Sequence, residues 1–252
     1  EFTNKKFLKS YLFLHNSTYT KKWALNYWGK HKNNVLYPII DIDTSFQKLK
    51  AKNNTLKNSN QNIISIGRFT PKGHEKRQDF ILKAFKEAQT KIDSNFNLFL
   101  IGSLDYSSKD DLTYFNNLEK IKNKNIHLLP NLEFKKLTEF LTVSKFYIHA
   151  TGVEKNHQRN PEDLEHFGIS VIEGLIFDNY PIVYNKGGPA EIVRILKEGE
   201  TFEDFESLVK ILIRIMSESD NKKYKIKENF LVPLLNQNNE TLKLLINDYI
   251  NE

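Results

Sequence analysis

The sequence predicts an α/β fold: a Rossmann-like parallel sheet with helices on both faces, a connector helix before it and further helices after it. Two observations carry this. From residue 62 to about 218, short apolar runs alternate with amphipathic segments, the spacing of β-α-β units. The runs are apolar throughout, as strands covered on both faces are.

In chain order, Ser17 or Thr18 opens a helix whose stripe is Trp23, Ala24, Tyr27 and Trp28, with a hydroxyl as N-cap. VLYPIID (35–41) reads as a short strand ended by Pro38. Residues 48–61, KLKAKNNTLKNSNQ, are polar and aperiodic and read as a loop or linker. NIISIG (62–67), NLFLIG (97–102), NIHLLP (125–130), KFYIHA (145–150) and PIVYN (181–185) are strands. Between them lie helices at 76–89, 114–121, 137–144 and 168–177; in the first, Phe80, Ile81, Ala84, Phe85 and Ala88 recur at helical spacing. FESLVKILIRIM and TLKLLINDYI make the tail helical. The resulting division is 1–47 connector, 48–61 polar loop, 62–218 ligand-binding domain and 219–252 helical tail.

A chain of 252 residues, 39% hydrophobic and 27% charged, reads as a soluble globular protein. No apolar run approaches the ~18–20 residues that span a bilayer, and the start does not resemble a signal peptide. With no cysteine, disulfides, thiolate catalysis and zinc–thiolate sites are excluded, and a cytoplasmic location is expected. The net charge of +6 fits nucleic acid, an anionic membrane face or an anionic small ligand; a lysine-rich composition explains it equally. The lysines are scattered and no nucleic-acid module signature is present, so no nucleic-acid partner is expected.

Ligands of an open parallel sheet bind at the carboxyl ends of its strands. The first such loop, GRFTPKGHEKRQ, has neither a G-x-G-x-x-G fingerprint nor a G-K-[ST] phosphate loop. It offers Arg68 at the strand's end and Lys76 at the start of the next helix, two cations suited to a diphosphate beside helix N–H donors. Ordinary solvated loop charges are the other reading. The long loop after 145–150 delivers Glu165, His166 and Phe167 to a helix beginning at Gly168. A second carboxylate, Glu173, follows eight residues on. In a continuous helix the two would stand ~80° apart with a rise of about 12 Å, a spacing that suits opposite ends of a nucleotide sugar better than one shared catalytic pocket. KGGPAEIV places Gly187 and Gly188 after the next strand, where they permit close backbone approach to a ligand or simply a turn.

His149 ends a strand at the ligand edge, while His74 and His157 read as solvated surface. Asp110 and Asp111 read as N-terminal dipole complementation rather than metal ligands. The aromatics Trp23, Tyr27 and Trp28 either pack the connector helix onto the sheet or touch a lipid-linked acceptor.

IGRF (66–69), Lys76 in KRQDFILKAF, EHFGISVIEG (165–174), PIV (181–183) and GGPAEIV (187–193) resemble retaining glycosyltransferases of family four. These have the GT-B architecture of two Rossmann-like domains around a cleft. The resemblance covers roughly residues 11–215 and begins at the crossover between domains. It implies the C-terminal, donor-binding half with the N-terminal, acceptor-side domain missing. It implies transfer of a hexose from a UDP- or GDP-sugar to a glycan or lipid-linked acceptor in surface polysaccharide biosynthesis, without a metal or other cofactor, in the cytoplasm or peripherally at the membrane's inner face. It further implies that Arg68 and Lys76 bind the diphosphate and that Glu165 contacts the transferred sugar. Backbone amides around Phe167, Gly168 and Ile169 assist, beside Gly67, His166, Gly187 and Gly188. Glu173 takes the ribose hydroxyls, and Asn131 and Leu132 sit beside the base. The chain departs from the pattern at Arg77, where a glycine is usual, and in the shortened RILKEGETF stretch. The alternative is a non-catalytic nucleotide- or partner-binding module derived from such an enzyme.

Overall fold

The computed structural model describes residues 11–39, 62–218 and 224–251; the loop expected at 48–61 lies outside them. The chain opens with β1 (Phe13–His15), α1 (Thr18–Trp28) and β2 (Asn33–Val35), the two strands pairing in parallel. The strand expected over 35–41 is thus observed two residues earlier. Then follow β3 (Asn62–Ile66), α2 (Gln78–Lys91), β4 (Asn97–Gly102), α3 (Lys109–Ile121), β5 (Ile126–Pro130), α4 (Phe134–Val143), β6 (Phe146–His149), α5 (Ile169–Ile176), β7 (Tyr180–Tyr184), α6 (Gly187–Leu196), β8 (Glu200–Phe202), α7 (Phe205–Ser217) and α8 (Val232–Asn251).

Strands β3 to β8 form one all-parallel sheet in the order β5-β4-β3-β6-β7-β8. The winding direction reverses between β3 and β6, and this switch point is where a doubly wound sheet opens its ligand crevice. Strand β8 carries Glu200 and Thr201 in three residues and so shows no apolar run; as an edge strand paired only with β7 it needs none.

Successive strand residues face opposite layers. Ile63, Leu98, Leu100, Phe146, Ile148 and Ile182 pack in the cluster built with α2 and α7. Ile64, Ile101, Tyr147 and Val183 pack in the cluster built with α5 and α6. Each such side chain contributes roughly 1.5–3 kcal/mol through burial, and both faces are covered, as an all-parallel sheet requires.

Helix α1 does not lie on the sheet. None of its residues is buried, and Tyr27 and Trp28 are exposed. Its N-terminal end is held against α6 instead: the Glu191 carboxylate accepts from Thr18 N at 2.9 Å, Tyr19 N at 3.3 Å and Tyr37 Oη at 2.6 Å. This anchor sets the helix beyond the layer that its aromatic stripe was expected to cover. Buried Asn238 of α8 closes the arrangement, accepting from Tyr37 N at 2.8 Å and donating to Tyr37 O at 2.9 Å. No helix among the described residues is long and apolar enough to cross a membrane.

Candidate active site

The carboxyl ends of β3 and β6 bring the central groups together. Gly67 follows β3, its N–H bonded to Ile101 O at 2.8 Å. A Cβ there would stand 2.2 Å from Lys76 Cγ, so the bare Cα lets the lysine stem cross the strand's end. Gln78, 1% exposed, donates to both Gly67 O and Arg68 O at 2.9 Å and braces the turn. Helix α2 begins only at Gln78, so Lys76 belongs to the loop and not, as expected, to the helix start.

Lys76 Nζ pairs with Glu165 Oε2. The same oxygen lies 3.5 Å from Nε2 of His149, which ends β6 and is buried; the Thr151 hydroxyl stands 3.2 Å from that nitrogen. Burial alone would raise Glu165, yet His149 and the Lys76 ammonium outweigh it and hold the carboxyl well below the usual range. Burial pushes His149 down.

Glycines interlock the turns that carry these groups. Gly168 adopts φ +98° at the N-cap of α5 and Gly187 φ +76° at the start of α6. Gly188 N donates to Glu165 O at 2.8 Å, and a Cβ on Gly188 would meet Phe167 Cα at 2.3 Å. The close approach that Gly188 permits is thus made to the Glu165–Phe167 backbone, and its amide is spent there. Phe167 is core, its ring 6.1 Å from Tyr37. His166 turns its ring edge-on to His74 at 4.9 Å, so His74 is not the solvated residue expected, and its carbonyl accepts from Ser17 Oγ at 2.6 Å. Ile169 is exposed at the first position of α5.

Glu173 is half-buried on α5, with no side-chain hydrogen bond or ion pair among the described residues, and burial pushes its carboxyl up. Burial raises the phenol of Tyr147, with smaller contributions from Glu173 and Glu165, and its hydroxyl reaches toward Ile66 O at 3.5 Å. Because the chain turns at Gly168, the spacing of a continuous helix does not apply to the two carboxylates. Arg68 is exposed at the rim. Asn131, at φ +53°, exchanges two side-chain bonds of 2.9 Å with the Leu104 backbone, so its amide braces the β4 loop; Leu132 packs against the core.

Sequence reasoning weighs His149 for its place at a strand end and Ser17 as a helix N-cap, but it gives no signal for Gln78 beyond adjacency to the loop it braces. Among the described residues no cluster of three or more His, Cys, Asp and Glu could hold a metal ion.

The parallel sheet with helices on both faces and a lysine–carboxylate pair at its switch point defines the class as an α/β Rossmann-like domain. The profile of glycosyl transferases group 1 matches residues 46–230, and the chain belongs to that family. It is 28% identical over 221 residues to the GDP-Man:Man(3)GlcNAc(2)-PP-Dol alpha-1,2-mannosyltransferase of Mus musculus, covering 85% of this chain and 43% of that one. It is 28% identical over 206 residues to the alpha-1,3/1,6-mannosyltransferase ALG2 of Yarrowia lipolytica, covering 71% and 43%. The chain thus spans less than half the length of these relatives. The crystal structure of a glycosyltransferase from Rickettsia africae ESF-5 shares the fold at TM-score 0.69, 16% identity, 98% of this chain and 64% of that one. HepE of Anabaena in complex with UDP does so at TM-score 0.67, 15% identity, 94% and 64%.

Proposed function

We propose that this chain is the donor-binding half of a retaining glycosyltransferase that moves a hexose from a nucleoside diphosphate sugar to a glycan or lipid-linked acceptor. The observation that carries the reading is the switch-point arrangement: Lys76 paired to Glu165 against His149. A diphosphate competes with Glu165 for the Lys76 ammonium and takes the N–H groups of Ile169 and Ser170 that open α5, which a helix leaves without intrahelical partners. Exposed Arg68 adds a second cation. These charges stabilise the leaving diphosphate as it departs on the face where the acceptor hydroxyl arrives. Glu165, freed from Lys76, accepts hydroxyls of the transferred sugar, and Glu173 those of the ribose. No step requires a metal.

The names of the curated relatives make GDP-mannose the first donor to test. Transfer also requires an acceptor-side half, and peripheral placement at a membrane belongs to the same proposal. Calorimetric titration with GDP and UDP tests it: one of them binds the wild type, and Lys76→Ala and Glu173→Ala each weaken that binding. Unchanged affinity in both variants sinks the reading. The second reading is nucleotide binding without transfer. Sugar-nucleotide turnover after supplying an acceptor-side domain, in cis or in trans, separates the two.

A further inference from the structure

Three consecutive residues of the loop before α2 each reach across the switch point to the segment after β6. Glu75 pairs with Lys155 at 2.7 Å and Lys76 with Glu165. Arg77 donates to Val153 O and, at 2.7 Å, to Glu154 Oε2. Its guanidinium also meets Asp79 Oδ1 at 3.2 Å and lies 5.6 Å from the centre of the Phe80 ring. Arg77 holds φ +52° and ψ +44°, and Glu154, at the other end of the tether, φ +62°. Glycine takes that left-handed region freely, whereas a residue with a Cβ is strained there. The strain is retained at both ends of one ion pair, which marks the side chains as having a task.

That task follows from the position of Lys76. It lies outside α2, so no helix hydrogen bond fixes its backbone; what fixes it is the residue between it and Gln78. The Arg77 side chain is 12% exposed and its charge is already matched by Glu154 and Asp79, so it is committed to protein and is not a free cation for a phosphate. We propose that Arg77 is a positioning residue: by clamping the loop to Val153 and Glu154 it holds the Lys76 ammonium at the place where a diphosphate is received. This rests on the nucleotide-binding reading above and adds a residue to it.

The test is a binding cycle on this chain with Arg77→Gly, Arg77→Lys, Lys76→Ala and the Arg77→Gly/Lys76→Ala double variant. Each is titrated with the nucleoside diphosphate that the wild type binds and with the corresponding nucleoside. Glycine keeps the left-handed backbone open, so Arg77→Gly removes the clamp without adding strain. Expected are about tenfold weaker diphosphate binding in Arg77→Gly, unchanged nucleoside binding, partial recovery in Arg77→Lys, and no further loss when Arg77→Gly is added to Lys76→Ala. Equal loss of nucleoside and diphosphate, or additive losses in the double variant, overturns the proposal by showing a general structural effect. Normal diphosphate affinity in Arg77→Gly beside a large loss in Lys76→Ala overturns this proposal alone. Unchanged affinity in Lys76→Ala and Glu173→Ala overturns the nucleotide reading and this one with it.

Discussion

Glu165 and Glu173 are the same side chain eight residues apart, and their surroundings drive them in opposite directions. Glu165 lies in the turn before α5, paired with Lys76 and close to His149, and its carboxyl is held well below the ordinary range. Glu173 lies on the helix, half-buried without a partner among the described residues, and its carboxyl is pushed up. Of two carboxylates so close in the chain, one is thus pre-ionised beside a cation and the other is short of hydrogen-bond donors among the described residues. The first can exchange its lysine for a ligand's charge. The second gains most when hydroxyl groups arrive.

The largest test of this contrast is Lys76→Ala. It removes the diphosphate's cation and strands Glu165, so nucleoside diphosphate affinity is expected to fall about 100-fold, or about 2.7 kcal/mol, with apo stability down by about 2 kcal/mol. Calorimetry and urea unfolding measure the two, and intact diphosphate binding would break the contrast at its stronger end. Next is Gly188→Ala. Its Cβ would meet backbone at 2.3 Å, so α6 must shift from the Glu165 turn at about 1–3 kcal/mol, read as a lower urea midpoint at unchanged slope. Diphosphate-sugar affinity should fall with it.

Smaller and sharper is the pair Glu165→Gln and Glu173→Gln, compared at pH 7 without ligand. Folding favours the ionised form of Glu165, so its contribution is full above the unfolded carboxylate value of about 4.3 and is lost as pH falls through its depressed folded value. Folding favours the protonated form of Glu173, so its contribution is full below about 4.3 and is lost as pH rises through its raised folded value. Glu165→Gln should therefore destabilise by about 1–2 kcal/mol. Glu173→Gln should stabilise by at most about 0.5 kcal/mol, since its partial exposure screens the effect, while still weakening nucleotide binding. Changes of the same sign would end the comparison. The smallest effect is expected in acid: between pH 5 and 3 the wild type should lose more stability than Glu165→Gln, measured as the difference between their thermal midpoints.

The regular elements were largely legible. NLFLIG reads as a strand over its observed bounds, and Phe80, Ile81, Ala84, Phe85 and Ala88 mark a helix whose buried face is the observed one. The EHFGISVIEG block was legible as a turn into a helix because Gly168 precedes an apolar run. Less legible were elements that draw their support from distant residues. Strand β8 is polar in two of three positions and exists by pairing with β7. Helix α1 has an aromatic stripe without a layer to cover, because Glu191, more than 170 residues away, anchors its first amides.

By itself the sequence determined the alternation of strands and helices, the parallel sheet, and which loops gather at its ligand edge, because periodicity and apolar runs are local properties of the chain. Only the tertiary structure decided that Lys76 meets Glu165 beside buried His149 while Glu173 has no partner among the described residues, that Gly188 docks on protein, and that Arg77 clamps a loop from a strained backbone. Those outcomes depend on charges and steric contacts between residues 16 to 89 positions apart, and such pairings are set by the packed fold and not by spacing along the chain.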